Sequence, residues 1–199
     1  MTMAYLSPLP ADTTPELAED FAIFQQILGF VPNSLLTMQR RPAMVKGFGV
    51  LTKAVMSEDS EVDLGFKRLI AHFCSRAAGC QYCEAHSLIA AEIHGVSHEK
   101  VQAIWDYKTS DLYTEAERVA LDYALAAGSV PNAVDEEMMI EMKKHWSENQ
   151  IVEILGAICL YGFLNRWNDS MATELEDAPK ALGQEILSQG GWTGGKHTK

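Results

Sequence analysis

No stretch of this chain alternates polar and apolar residues with a period of two, while helix start signals recur along it, so the expected fold class is all-α. Two of those signals are capping boxes, Thr114-Glu115-Ala116-Glu117 and Ser147-Glu148-Asn149-Gln150. In each, a hydroxyl and a longer side chain three residues on can satisfy each other's free backbone N–H groups. Thr14-Pro15-Glu16 adds a capping hydroxyl followed by proline at the first helical position. The pattern predicts helices at about 15–28, 34–40, 42–56, 61–78, 80–94, 97–106, 115–127, 134–145 and 148–176, with Pro179 limiting the last. Within 61–78 the apolar positions Val62, Phe66, Leu69, Ile70, Phe73 and Ala77 keep a helical spacing.

Length suits a compact multi-helix domain over 1–188, followed by a glycine-rich tail over 189–199 that reads as mobile. Shifting the chain by 85 residues puts Cys74 on Cys159 and Arg68 on Glu153, a faint repeat that suggests two similar helical halves. The dithiol positions described below would then fall on Asn165 and Asn168, so chemistry would reside in one half only.

A net charge of -11 with no basic stripe argues against nucleic acid and against anionic membrane surfaces as partners. The longest apolar stretch, 154–164, is too short to span a bilayer and is broken by Gly156 and Gly162. The first ten residues lack the basic start and long apolar run of a secretory signal. Four cysteines do not make a disulfide scaffold in a chain of 199 residues, and a reducing cytoplasm with a catalytic dithiol is the expected setting.

The candidate chemistry sits in Gly79-Cys80-Gln81-Tyr82-Cys83-Glu84-Ala85-His86. On a helix each residue turns by about 100°, so Cys83 would lie between Cys80 and His86 on one face. A dithiol that closes reversibly, with an imidazole at reach, points to thiol redox catalysis. Zinc is an alternative, since His72, His94 and His98 are near in sequence, but the spacing lacks a second Cys-x-x-Cys pair. Cys74, Cys159, His72, Trp105, Trp146, Trp167 and the methionines Met138, Met139 and Met142 read as packing residues.

The motif and its surroundings, Arg76-Ala77-Ala78-Gly79-Cys80-Gln81-Tyr82-Cys83-Glu84-Ala85-His86-Ser87 and then Ala90-Ala91 and His94-Gly95-Val96-Ser97, resemble the alkyl hydroperoxidase D-like, carboxymuconolactone decarboxylase superfamily. The resemblance covers 61–101 best, with echoes at 30–35, 114–118 and 165–169. It implies an all-helical subunit in a homo-oligomer, commonly a trimer or hexamer. It also implies a peroxide-reducing cycle with no bound cofactor, in which Cys83 attacks peroxide, Cys80 resolves the sulfenic acid, His86 relays the proton and an external dithiol restores the pair. A disulfide reductase without peroxidase activity, or a redox-sensing helical protein with a regulatory dithiol, are the alternative readings. Two departures from the family pattern stand out. The usual histidine position, four residues after the second cysteine, holds Ser87, and the usual relay glutamate position holds Arg68, beside Lys67. Candidate substitutes are Arg68 or Lys67 as thiolate-stabilising charges, Glu84 for the Cys80 thiol, and Glu153 as a carboxylate from the second half.

Overall fold

A computed structural model describes residues 4–198. Residues 1–3 of the expected domain and residue 199 of the expected tail lie outside the described residues. The described chain is all-α, with ten α-helices and no strand. The helices are α1 (Ala18–Leu28), α2 (Asn33–Met38), α3 (Pro42–Val55), α4 (Leu64–Ala77), α5 (Gln81–Ile93), α6 (His98–Gln102), α7 (Glu115–Gly128), α8 (Glu136–His145), α9 (Glu148–Met171) and α10 (Asp177–Ile186). Both predicted capping boxes form, at the starts of α7 and α9. None of these helices is long and apolar enough to cross a membrane.

α4 and α5 make an antiparallel hairpin across Gly79, whose φ of 72° suits the one residue without a Cβ. Their far ends close tightly at Gly65, where a Cβ would meet the His94 carbonyl oxygen at 2.8 Å. α9 packs against both α4 and α7, so the dithiol hairpin is backed by the longest helix in the protein. The main core runs through Leu69, Ile70, Phe73, Leu88, Leu121 and Ile154, all buried. A smaller cluster of Leu17, Phe21, Leu35, Met38 and Val45 anchors the N-terminal helices over α9 through Leu164 and Trp167.

Two sequence expectations change here. The helix predicted to run to residue 176 ends at Met171. Ala172 turns left-handed at φ 46°, and the Thr173 N–H returns to the Asn168 carbonyl at 3.1 Å, so the open helix end is satisfied. Ala172, Thr173 and Leu175 are all buried, and that tertiary packing holds the bend. Pro179 then lies in the first turn of α10, where its missing N–H breaks no helical bond. The second change concerns the glycine-rich end. Trp192 and His197 are buried; the Trp192 indole donates to the Gln81 carbonyl at 3.1 Å, and the Leu175 N–H donates to the His197 carbonyl at 2.8 Å. Glycine content suggested a free tail, but two large rings in it find partners on α5 and on the segment after α9. Gly183 leaves room for this, since a Cβ there would meet the Trp192 ring at 2.8 Å.

Candidate active site

Cys80 is the N-cap of α5, and its sulfur accepts the Cys83 backbone N–H at 3.4 Å. A thiol therefore stands where serine or aspartate usually satisfies a free first-turn donor. Cys83 follows in that first turn, and both cysteines are buried free thiols. The Asn168 side-chain amide of α9 donates toward the Cys83 sulfur at 3.4 Å. Burial pushes the Cys83 thiol well above its ordinary value, and neighbouring Cys80 adds to this, while the Asn168 bond pulls the other way. Cys83 thus rests as a thiol and needs a base to ionise it.

His86 is one turn further along α5. Its Nε2 lies 2.6 Å from Glu176 Oε2. Glu176 was not singled out in the sequence; it reaches the site because the chain bends at Ala172 and places it as the N-cap residue of α10. Its other oxygen accepts the Tyr82 hydroxyl at 2.9 Å and the Asn33 backbone N–H at 2.5 Å. Burial raises the Glu176 carboxyl, but the His86 imidazole and the Asn33 N–H outweigh it, and the net displacement is downward. In the tautomer that donates from Nε2 to Glu176, Nδ1 is the ring's basic nitrogen. The ring is stacked on Tyr82 at 4.2 Å between centroids and edged by Phe30 at 5.6 Å. The base therefore has a carboxylate partner and a set orientation.

Cys83, His86, Asn168 and Tyr161 share one cavity of about 140 Å³. Its other walls are mostly apolar, among them Phe24, Leu28, Leu35, Phe48, Leu160 and Leu164. Arg68 also lines it, facing the same space as Cys83. The other sequence candidates lie elsewhere. The Lys67 ammonium is buried and donates to the Val55 carbonyl at 2.7 Å and the Ser60 hydroxyl at 2.6 Å, with Glu153 at 3.5 Å. Glu153 accepts the Glu61 and Val62 N–H groups at 3.0 Å each, so this pair pins the chain entering α4. The Glu84 carboxylate lies 3.7 Å from Arg76. Ser87 is buried with its hydroxyl 3.2 Å from His72 Nδ1 and donating to the Glu84 carbonyl at 2.9 Å. Among the described residues, no three His, Cys, Asp or Glu side chains gather as a metal-binding group.

His72 and Glu84 link stability to pH with opposite signs. Burial lowers His72 from 6.5 to about 4, so the folded protein keeps it neutral. Below pH 6.5 the unfolded chain takes up a proton that the folded one refuses, and stability falls as pH drops toward 4, by up to about 3 kcal/mol. Burial raises Glu84 from 4.5 to about 7, against the pull of Arg76, so the folded state binds the extra proton there and stability rises as pH drops from 7 to 4.5. A His72→Gln protein is therefore expected to gain stability relative to wild type when denaturant melts at pH 7 and pH 5 are compared. An unchanged difference between the two proteins at the two pH values would sink this assignment.

Residues 42–126 match the carboxymuconolactone decarboxylase family. The debrominase Bmp8 in its apo form is 39% identical to this chain, with a TM-score of 0.82 over 90% of this chain and 96% of Bmp8. This chain belongs to the carboxymuconolactone decarboxylase family. A second Bmp8 structure, a cysteine-to-alanine variant in complex with 2,3,4-tribromopyrrole, matches at 38% identity and a TM-score of 0.83 over 90% and 96% of the two chains. The alkylhydroperoxidase AhpD-core, peroxidase-related protein of Ralstonia eutropha JMP134 shares the fold at 22% identity and a TM-score of 0.77, over 87% and 94%. YnjA of Escherichia coli K12 is 29% identical over 113 residues. The match to YnjA takes in 56% of this chain and spans 62% of that relative's length.

Proposed function

We propose that this protein is a dithiol-dependent oxidoreductase that takes an electrophilic atom from a small, largely apolar organic substrate, with an organic hydroperoxide as the first reading. The observation that carries it is Cys83 opening into an apolar cavity with Cys80 one turn back and His86, paired to Glu176, lining the same space. His86 Nδ1 takes the Cys83 proton, and the thiolate attacks the terminal peroxide oxygen. The O–O bond breaks, Cys83 becomes a sulfenic acid, and the departing alkoxide takes the proton from His86 to leave as the alcohol. The Cys80 thiol then displaces the hydroxyl as water, giving the Cys80–Cys83 disulfide. An external dithiol reduces that disulfide by exchange and is itself oxidised. Homo-oligomeric assembly belongs to the same proposal.

A second reading is favoured by the Bmp8 likeness at 39% identity: reductive dehalogenation of a halogenated aromatic. There Cys83 accepts the halogen, the ring carbon gains a proton, and Cys80 displaces halide as the disulfide forms, so two thiols supply the two electrons. Single-turnover mixing of reduced protein with cumene hydroperoxide, hydrogen peroxide and 2,3,4-tribromopyrrole separates the two. The apolar walls predict that cumene hydroperoxide oxidises Cys83 faster than hydrogen peroxide does. Tribromopyrrole oxidising the pair with release of bromide, while both peroxides are inert, favours the second reading. If no compound of the three yields the Cys80–Cys83 disulfide in a peptide map, the oxidoreductase reading is wrong.

A further inference from the structure

The cavity contains one charge that the redox chemistry described above does not use. Arg68 comes from α4 to its wall, and its Nε is buried without a hydrogen-bond partner. Among the described residues no carboxylate pairs with it. The hydroxyl of Thr52, on α3 across the same cavity, is also buried without a partner. The guanidinium also reaches Tyr161: its charge and a hydrogen bond pull that phenol downward against the larger effect of burial, while Cys83 acts the other way, so Tyr161 answers one part of the fork and the Nε is left open. A permanent positive charge and an unanswered hydroxyl therefore line a mostly apolar space beside the reacting sulfur. Buried polar groups are nearly always satisfied, and a guanidinium is always charged, so the missing partner is to be sought in what fills the cavity.

We propose that the substrate carries one anionic group, a carboxylate or the ionised form of an acidic ring hydroxyl or ring nitrogen, which pairs with Arg68 while the apolar remainder packs between α1, α3 and α9. This rests on reading the cavity as the substrate site. Arg68 supplies two things in this arrangement. Its planar fork gives direction, so one edge of the substrate is held at α4 and the opposite edge is presented to Cys83. Its charge also offsets the repulsion between an anionic substrate and the thiolate that must form near it. The cavity volume of about 140 Å³ restricts the apolar part to roughly one small ring.

Benzoate and benzamide are matched in shape and differ in charge, and their binding to the reduced wild-type protein tests the proposal by calorimetry. Benzoate is expected to bind about tenfold or more tighter than benzamide, as for a charge-assisted bond. It should also slow alkylation of Cys83 by iodoacetamide. Arg68→Gln should remove the preference while leaving benzamide affinity unchanged, and Arg68→Lys should keep part of it. Equal affinity for the two probes, no benzoate binding at millimolar concentration, or benzoate binding that leaves Cys83 alkylation unchanged would each overturn the proposal. The wild-type comparison decides the matter even if an Arg68 variant fails to fold. Arg68-dependent benzoate binding in a protein whose Cys83 is never oxidised would keep the anion site and discard the redox reading. Rapid oxidation without a benzoate preference would do the reverse.

Discussion

Replacing Cys83 with serine is expected to lower substrate reduction to background, a loss on the order of a thousandfold or more for removal of a nucleophile. The Cys80→Ser protein should behave differently: one equivalent of substrate consumed, then arrest. With a hydroperoxide, the arrested protein should carry a sulfenic acid at Cys83 that dimedone traps and mass spectrometry locates. The order follows from the neighbours. Cys83 borders the cavity and receives the Asn168 N–H, whereas Cys80 is buried behind it as the helix cap. Both positions sit at the start of α5, so the helix dipole does not distinguish them; access does. Rapid consumption of one equivalent by the Cys83→Ser protein would reverse the assignment and make Cys80 the attacking thiol.

Glu176→Gln is expected to slow the first oxidation step about a hundredfold, at the lower end of what general acid–base assistance contributes. Glutamine keeps the shape but cannot hold the proton on His86 Nε2 as a charge does, so the basic Nδ1 is no longer specified. The same change weakens the bonds that Glu176 accepts from Tyr82 and the Asn33 backbone, and the protein should lose about 1–3 kcal/mol of stability. A structural role alone would lower the melting temperature and leave the pH profile of Cys83 oxidation unmoved. The relay role predicts that the profile shifts, and that His86→Gln shows the same rate loss with no further loss in the double variant. An Glu176→Gln protein with wild-type rate and pH profile would remove Glu176 from the mechanism.

The legible part of this site is local. Cys80, Cys83 and His86 lie within seven consecutive residues at the start of one helix; periodicity places Cys83 and His86 on the same wall, and Cys80 caps the helix behind them. The capping boxes are likewise read from four residues each, and both form. Asn168 is legible in two weak ways, as the partner of Cys83 in the 85-residue offset and within the polar 165–169 echo, and it is the side chain that reaches that sulfur. Glu176 had no local signal. Its neighbours Leu175, Asp177 and Ala178 allow a continuing helix, and the sequence reading ran α9 through it. Lys67 shows the converse: a lysine beside Arg68 reads as a second charge for the thiolate, but one residue is a 100° turn on a helix, and it faces the Val55 carbonyl and Ser60.

The sequence by itself determined that this chain is helical, where most helices begin, and that a dithiol and an imidazole gather at the start of one helix. These rest on interactions a few residues long, which the order of residues specifies directly. Only the tertiary structure decided that the carboxylate paired with His86 is Glu176, that Arg68 enters the cavity while Lys67 does not, and that Trp192 and His197 bury the glycine-rich end. The first two depend on where a helix stops and which way one rotates against its neighbours, and the third on long-range contacts of Trp192 and His197 with the start of α5 and the segment after α9. Burial of Ala172 and its flanking residues sets the first, and the packing of α4 against α5 and α9 sets the second.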